Sequence, residues 1–505
     1  MLATIMLSKK EQKKIEIFQF LETLPAGEHS VKSISDGLGF VYSSTQNLLA
    51  EMKLEFDELC EDNITFFTLQ GQIHWPIIGI TYDQYFSHLI QQGVPYQALL
   101  YMLERPRHNL KDFCASHYIS IASGMRHLQP LAEYLQQFNL LFNRTKLSLK
   151  GDERLIRLTF FNFIWAVSKG DEELFQHFQR GELMATLASL SKEVPMGRDY
   201  VGAKEVYLFA EITYLRIKGE FWVEDDSQYD PVLIHSSSLT AQSLQDFFPI
   251  KEEHLIAEYR FMQFMHFYAP TYADEQDPRL PMMQEHFQQK NQLTTILRNF
   301  EKFWSKEILR GDFNLFEKNP AIHGNLYNIL FCYYVFPQRI PTLFNLLSYF
   351  RQNQSVLFEA LQKQVASFFQ RFSRRQGFEW LQNCQQCITD LFTWLTLEYF
   401  EESGQRQSLL VALVMESNQL FLQDIKNHLK DLSFIKLVPY SIYEKEHYDF
   451  LICSSALLLP EENQTPFFVF NFFSKNTDYV TLYRELRYWH RKKNLSYKNQ
   501  IPVNS

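Results

Sequence analysis

The sequence predicts a mainly α, multidomain protein that ends in a small α/β domain. Three observations carry this reading. The chain has 505 residues, too many for one hydrophobic core. Apolar residues recur at helical spacing from Lys9 to about residue 400, with few strand-rich stretches among them. Past "EESGQRQ" short apolar runs alternate with helical patterns, as a mostly parallel sheet with crossover helices requires. With 46% apolar residues, 17 Gly and 18 Pro, the chain is globular rather than disordered. Its 46 Phe, 26 Tyr and 7 Trp supply large side chains for helix interfaces.

The elements follow in order. From Lys9 to Leu24, Ile15, Phe18 and Leu21 mark one helix face, and "PAGEHS" ends it. "VKSISDGLG" is a short helix that Ser30 can cap. "FVYS" is a turn and "SSTQNLLAEMKLEF" a longer helix. "ITFFTLQGQIHW" reads as two strands joined at Gln70-Gly71. Helix, helix–turn–helix and hairpin in that order make a winged helix-turn-helix unit, assigned to residues 1–76. The pattern recurs over 77–154. Two supporting helices lead into a first motif helix, Leu110 to Ser116, a turn, His117 to Ser120, and a second helix that Ser120 caps. Met125, Leu128 and Leu131 give that helix a packing face. "FNLLFNRTKLSLKGDERLIR" then supplies a wing.

The outward residues of the second helices are the candidate DNA contacts: Ala122, Ser123, Arg126 and His127 in the second unit, and Ser44, Thr45, Gln46 and Asn47 in the first. Arg126 is the natural base reader or phosphate clamp, because its fork can bridge guanine O6/N7 or a phosphate. Few other long polar side chains are available, so base readout should be sparse and backbone contacts and DNA shape should dominate. Glu51 and Glu55 follow on the first unit's helix, which should make it a weaker or more selective DNA partner. The net charge of −9 excludes wholesale wrapping by nucleic acid, yet residues 101–160 hold nine Lys/Arg against five acids, with three His beside them.

Two helical regions of similar texture, 155–282 and 283–403, meet near "PTYADEQDPRLPMM". In 404–505, "SLLVALVM", "FIKLVPY", "YDFLICSS" and "PFFVFNFF" are strands, and "NQLFLQDIKNHLKDL" and "TDYVTLYRELRYWHRKK" are helices. No apolar run approaches the ~18 residues of a membrane span, and "MLATIML" precedes its lysines, the reverse of a signal peptide. Six scattered cysteines suit a reducing cytoplasm. Cys384 and Cys387 form a lone CxxC within a helical pattern, better read as packing than as metal or redox chemistry.

This order of parts resembles the Mga/AtxA family of transcription regulators, of a type found in Gram-positive bacteria, where such proteins often govern virulence or carbohydrate-related genes. The most specific stretch is "LKDFCASHYISIASGMRHLQPLAEYLQQFNLLFNRTKLSLKGDERLIRLTFFNFIW". In it a recognition helix is followed by a wing and a G-x-E-x-x-I-R-like step at Gly151, Glu153, Ile156 and Arg157. The resemblance implies that 155–282 and 283–403 are PRD-like domains and that 404–505 looks like a phosphotransferase IIB domain. It also implies control by histidine phosphorylation, for which His323, His266 and His235 are the candidates, with His254 behind them. That chemistry needs an exposed neutral imidazole. Glu220 stands in "LRIKGEFW" where similar regulators can carry His, so that position is out of reach of phosphorylation. An active IIB domain uses a loop Cys after its first strand, but this chain has Met415, Glu416 and Ser417 there.

The expected function is therefore a cytoplasmic, DNA-binding regulator with no catalytic residues, metal or cofactor. It should bind double-stranded DNA, itself through the IIB-like end as a homodimer or higher oligomer, and phosphotransferase proteins. A phosphoryl carrier and a helical protein-interaction scaffold are the alternatives.

Overall fold

The structure, a computed structural model, describes residues 2–60, 65–76, 79–170, 200–235, 240–267, 271–272, 275–309, 319–337, 340, 356–402, 408–415, 419–441, 447–459, 463–470 and 477–500. It is mainly helical, with a small parallel sheet near the C-terminal end. The chain divides into two compact units, one containing Met1–Gln288 and the other Gln289–Pro337 with Asn345–Ser505.

The first unit opens with α1 (Leu2–Met6), whose Ile5 and Met6 are buried, and α2 (Lys9–Glu22), which starts in a Ser8/Glu11 capping box. After β1 (Gly27–His29) come α3 (Val31–Leu38) and α4 (Tyr42–Leu59), joined by a turn with Gly39 at φ 66. The expected hairpin narrows to a Phe67–Ile73 bridge. β2 (Ile73–Trp75) takes its main pairing from β1, antiparallel, with Gly27 opposite Trp75. β1 is three residues long and its partner lies over 40 residues on, so no local periodicity announces it.

Two expectations about α4 are corrected. Thr45 is fully buried and its hydroxyl donates to the Val41 carbonyl at 3.2 Å, so it lies on the packing face beside Leu48, Leu49 and Met52. Glu51 and Glu55 turn towards α2: buried Lys14 lies 2.9 Å from Glu51 and 2.5 Å from Glu55, and Lys10 pairs with Glu51 at 2.6 Å. Burial alone would lower the Lys14 pKa, but its hydrogen bonds to Glu55 and Glu51 hold it above the ordinary lysine value. The two carboxylates are neutralised within the fold, which removes the electrostatic reason for ranking this helix as the weaker DNA partner.

α5 (Tyr82–Gln92) and α6 (Val94–Glu104) precede the second motif, described below. Beyond it the first unit continues through α10 (Glu153–Ser168), α11 (Tyr200–Lys218), α12 (Ala241–Phe247), α13 (Leu255–Phe267) and α14 (Leu280–Gln288).

The second unit begins with α15 (Gln292–Phe303), which runs into a π turn at Trp304–Leu309, followed by α16 (Pro320–Val335), α17 (Val356–Phe372) and α18 (Leu381–Glu402). Aromatic rings fill the contacts among α15, α17 and α18, with Phe300 5.3 Å from Phe368 and 5.0 Å from Phe392 between centroids. Cys384 is buried on α18, its thiol directed at the Trp380 and Leu381 carbonyls and its pKa pushed up to about 12 by burial. Then come β5 (Leu409–Val414), α19 (Gln419–Leu429), β6 (Ile435–Pro439), β7 (Phe450–Cys453), β8 (Phe467–Val469) and α20 (Thr477–Gln500). The sheet runs β6-β5-β7-β8 and every pair is parallel. Leu409, Val411, Phe450 and Ile452 pack on one face with Ile425, Leu429, Leu482 and Leu486 from α19 and α20. β8 is an edge strand, with Phe467 46% and Val469 41% exposed. Phe470 is buried, whereas Phe472 and Phe473 lie outside the described residues, as do Glu416 and Ser417 after β5.

Candidate nucleic-acid interface

The second motif is built from α7 (Leu110–Ser116) and α8 (Ile121–His127). Asn109 caps α7, its Oδ1 accepting from the Lys111 and Asp112 amides at 2.9 and 3.3 Å, while Asp112 accepts from the Asn109 amide at 3.1 Å. Ser120 caps α8 by accepting from the Ser123 amide at 3.1 Å. Between them Tyr118 adopts the left-handed conformation at φ 54, and the Ile119 amide closes on the Cys114 carbonyl at 3.0 Å. The two helices touch at Gly124, where a Cβ would stand 2.9 Å from the Cys114 sulfur, so only glycine permits this approach.

The expected long recognition helix is instead two. α8 ends after seven residues, and α9 (Gln129–Gln136) begins beyond Leu128. Pro130 is the reason, since it lacks an amide proton and sits comfortably only in a helix's first turn. Leu128 and Leu131 are buried as expected, and Met125 is half-buried.

The wing is β3 (Leu141–Asn143) paired antiparallel with β4 (Ser148–Lys150), Phe142 opposite Leu149. Its tip is tied to both motif helices. Arg144 donates to the Met125 carbonyl at 2.9 Å, and the Thr145 carbonyl accepts from the Leu110 amide at 3.0 Å. Arg144 thereby satisfies a carbonyl in the last turn of α8, where a cation is favoured.

Of the candidate contacts, Ala122 and Arg126 are exposed, and Ser123 and His127 are half-buried, with Ser123 Oγ 3.3 Å from His127 Nδ1. On α4, Gln46 and Asn47 are exposed, Ser44 is half-buried and Thr45 is inside. Sequence reasoning missed the wing lysine, Lys146, and two exposed apolar residues, Ile121 and Tyr118. Its place at the tip of the expected hairpin was the signal that could have found the first; nothing in the periodicity distinguished the others from core.

The basic excess is also redistributed. Arg157 is fully buried: it forks onto Glu258 at 2.6 and 2.8 Å, reaches Glu153 at 3.2 Å and donates to the Phe221 carbonyl. Arg216 completes the cluster on Glu153 at 2.8 and 2.6 Å. Arg154 pairs with Asp152 and Asp226, and Arg107 with Glu220. Arg105, Lys111, Arg126, Lys146 and Lys150 remain exposed, with no ion pair among the described residues. Glu153 and Arg157, noticed for their spacing, are thus the joint between the wing and the helices that follow. At Gly151, φ 147, a Cβ would meet Leu140 at 2.7 Å, so the passage from β4 into α10 needs glycine.

The model of the Mga helix-turn-helix domain matches residues 80–164, from just before α5 into α10. Residues 80–164 are a Mga helix-turn-helix domain. That match supports the resemblance to Mga-family regulators, and a helix-turn-helix domain of this kind points to DNA binding. A search of curated proteins gave no match. No helix among the described residues is long and apolar enough to cross a membrane.

The candidate histidines fall outside residues 80–164 and differ in exposure. His323, in the second turn of α16, is only slightly exposed, and burial together with the Arg298 charge pushes its pKa down to about 4. It is neutral, as phosphorylation chemistry needs, but not the exposed imidazole expected; the apolar run "NLYNILF" that follows it makes α16 a core helix. His266 is half-buried against Phe267, centroids 4.7 Å apart. His235 is exposed and stacks at 6.3 Å on Tyr259. Glu220, in the loop after α11, is exposed and bridges Arg107 and Lys251 at 3.0 and 3.3 Å.

Proposed function

We propose that this chain is a transcription regulator that holds duplex DNA with two winged helix-turn-helix units, 1–76 and 77–154, and acts as a homodimer. The observation that carries it is the Mga domain, with Arg126 exposed on α8 and the wing fastened by Arg144 to the same helix. A recognition helix braced in this way needs little rearrangement on binding.

In this reading the helices of 155–282 and 283–403 are PRD-like regulatory domains, and 404–505 is a IIB-like domain that assembles subunits rather than carrying phosphate. Support for assembly comes from β8, an edge strand among the described residues with Phe467 and Val469 exposed, and from Leu457, 94% exposed after β7. Exposed apolar edges of this kind favour association. Support against phosphoryl transfer comes from Met415 after β5, and Cys453 is buried at the end of β7 with its thiol directed at the Phe468 carbonyl. If histidine phosphorylation tunes activity, exposure favours His235. Control of virulence or carbohydrate-related genes follows from the family resemblance alone. A footprint of the purified chain on genomic fragments at stated salt tests the reading. Salt-sensitive protection of discrete duplex sites supports it, and absence of duplex binding defeats it.

A further inference from the structure

The first residue of each recognition helix is a large apolar side chain left in solvent: Ile121 of α8 is 50% exposed and Tyr42 of α4 is 51% exposed. Each has a further exposed apolar residue close before it in the chain. Val41 is 70% exposed, and Tyr118 is 97% exposed in the turn that leads to α8. A single exposed apolar residue needs no explanation. Here the same position recurs in two units whose sequences otherwise differ, "VYSSTQN" against "SIASGMR". Neither is drawn into its own core, although buried residues lie within one turn, at Thr45 and at Gly124. Ala122, beside Ile121, is also exposed, and the hydrogen-bonding repertoire of α8 is thin, with Arg126 its one exposed long polar side chain.

In helix-turn-helix complexes the early residues of the recognition helix are those that meet base edges in the major groove. The apolar group presented there is the C5 methyl of thymine, which aliphatic and aromatic side chains contact. Exposed Lys111, Arg126 and Lys146 surround Ile121 in sequence and supply the phosphate attraction that such an apolar tip lacks. Resting on the DNA-binding reading above, we infer that Ile121 and Tyr42 are specificity-determining residues that read thymine methyl groups. Sequence preference then comes from apolar contact as well as from Arg126.

The test uses the full-length protein and a duplex taken from its footprint, prepared with thymine and again with uracil in place of thymine. Uracil removes only the C5 methyl and keeps every phosphate and base-pairing edge. Burying one methyl is worth about fourfold in affinity, so the uracil duplex should bind about fourfold more weakly for each methyl contacted, and roughly tenfold or more when both helices engage. Ile121→Ala should bind the thymine duplex more weakly and lose most of its response to uracil at the positions under α8; Tyr42→Ala should do the same under α4. Both side chains are exposed, so these variants should fold normally, and circular dichroism checks that they do. Equal affinity of the native protein for the two duplexes would overturn the inference and leave the DNA-binding reading standing. A uracil penalty that persists unchanged in both alanine variants would overturn it as well, because the methyls would then act through DNA shape. Failure to bind any duplex would sink the underlying reading, and this inference with it.

Discussion

Replacing Glu258 by glutamine tests whether the buried ion cluster holds the wing-bearing helix α10 to the helices that follow. Glu258 is 1% exposed and accepts from Arg157 Nη1 and Nη2 at 2.6 and 2.8 Å and from the Val223 amide at 3.1 Å. In the native cluster Arg157 and Arg216 are balanced by Glu153 and Glu258. In the Glu258→Gln variant two buried guanidinium groups face the single carboxylate of Glu153, most of which Arg216 already engages. Leaving one buried charge uncompensated costs ~3–5 kcal/mol, a large share of the ~5–15 kcal/mol typical of a folded domain. With a urea slope of ~3 kcal/mol per molar for a unit of this size, the unfolding midpoint should fall by roughly 1–1.7 M. Adding Arg157→Met removes the surplus cation and should restore most of the loss, because methionine can occupy much of the same apolar stem volume. Urea titration followed by tryptophan fluorescence measures all three proteins. A midpoint unmoved by Glu258→Gln, or a double variant less stable than the single one, refutes the reasoning.

Four further outcomes are expected. Arg126→Ala should cost ~1–3 kcal/mol in gel-shift affinity if the side chain reads a base, and less if it holds phosphate, with no loss of folding; unchanged affinity removes Arg126 from the interface. Affinity should fall with salt by about 0.9 log units per log unit of salt for each phosphate neutralised; with Lys111, Arg126, Lys146 and Lys150 engaged the slope should be steeper than about −3, and a slope near zero contradicts it. His286 and His323 both have folded pKa values near 4, chiefly from burial, below the ordinary 6.5. Unfolding therefore takes up protons between pH 6.5 and 4, so this stability is present above 6.5 and drains away as pH falls; equal urea midpoints at pH 7 and about 5 would contradict that. Phe467→Glu on exposed β8 should leave the fold intact and shift light scattering towards a monomer, and a dimer that persists at micromolar concentration places the interface elsewhere.

Much of the second motif was legible because its signals are local. Asn109 and Asp112 form a reciprocal cap, Ser120 caps α8, and the boundaries Leu110–Ser116 and His117–Ser120 follow from them. The C-terminal sheet was legible for a similar reason: each strand is a short apolar run followed by a helical period or a turn. What stayed hidden depends on distant partners. β1 needs β2, and Thr45 looks like its outward neighbours until the packing of α4 is known. Pro130 is plainly visible in the sequence, yet its effect is masked because Met125, Leu128 and Leu131 continue an apolar spacing across it.

The charge count shows most clearly where local reading stops. Nine cations over residues 101–160 suggest a broad electrostatic grip on DNA. Arg157 is consumed by Glu258, 101 residues away, and Arg154 by Asp152 and Asp226. Arg107 pairs with Glu220, and Arg144 is spent on fastening the wing. Arg105, Lys111, Arg126, Lys146 and Lys150 stay exposed without an ion pair among the described residues, a narrower grip than nine cations suggest, and attraction to phosphate alone does not discriminate among sequences. Rigidity offsets part of this: a wing tied to both motif helices, continued through Gly151 into a helix locked by the cluster, presents its few cations without an ordering cost at the moment of binding. The first turn of α8 presents apolar Ile121 and Ala122 to solvent beside Arg126, so the proposed methyl contacts would add discrimination that phosphate attraction cannot supply.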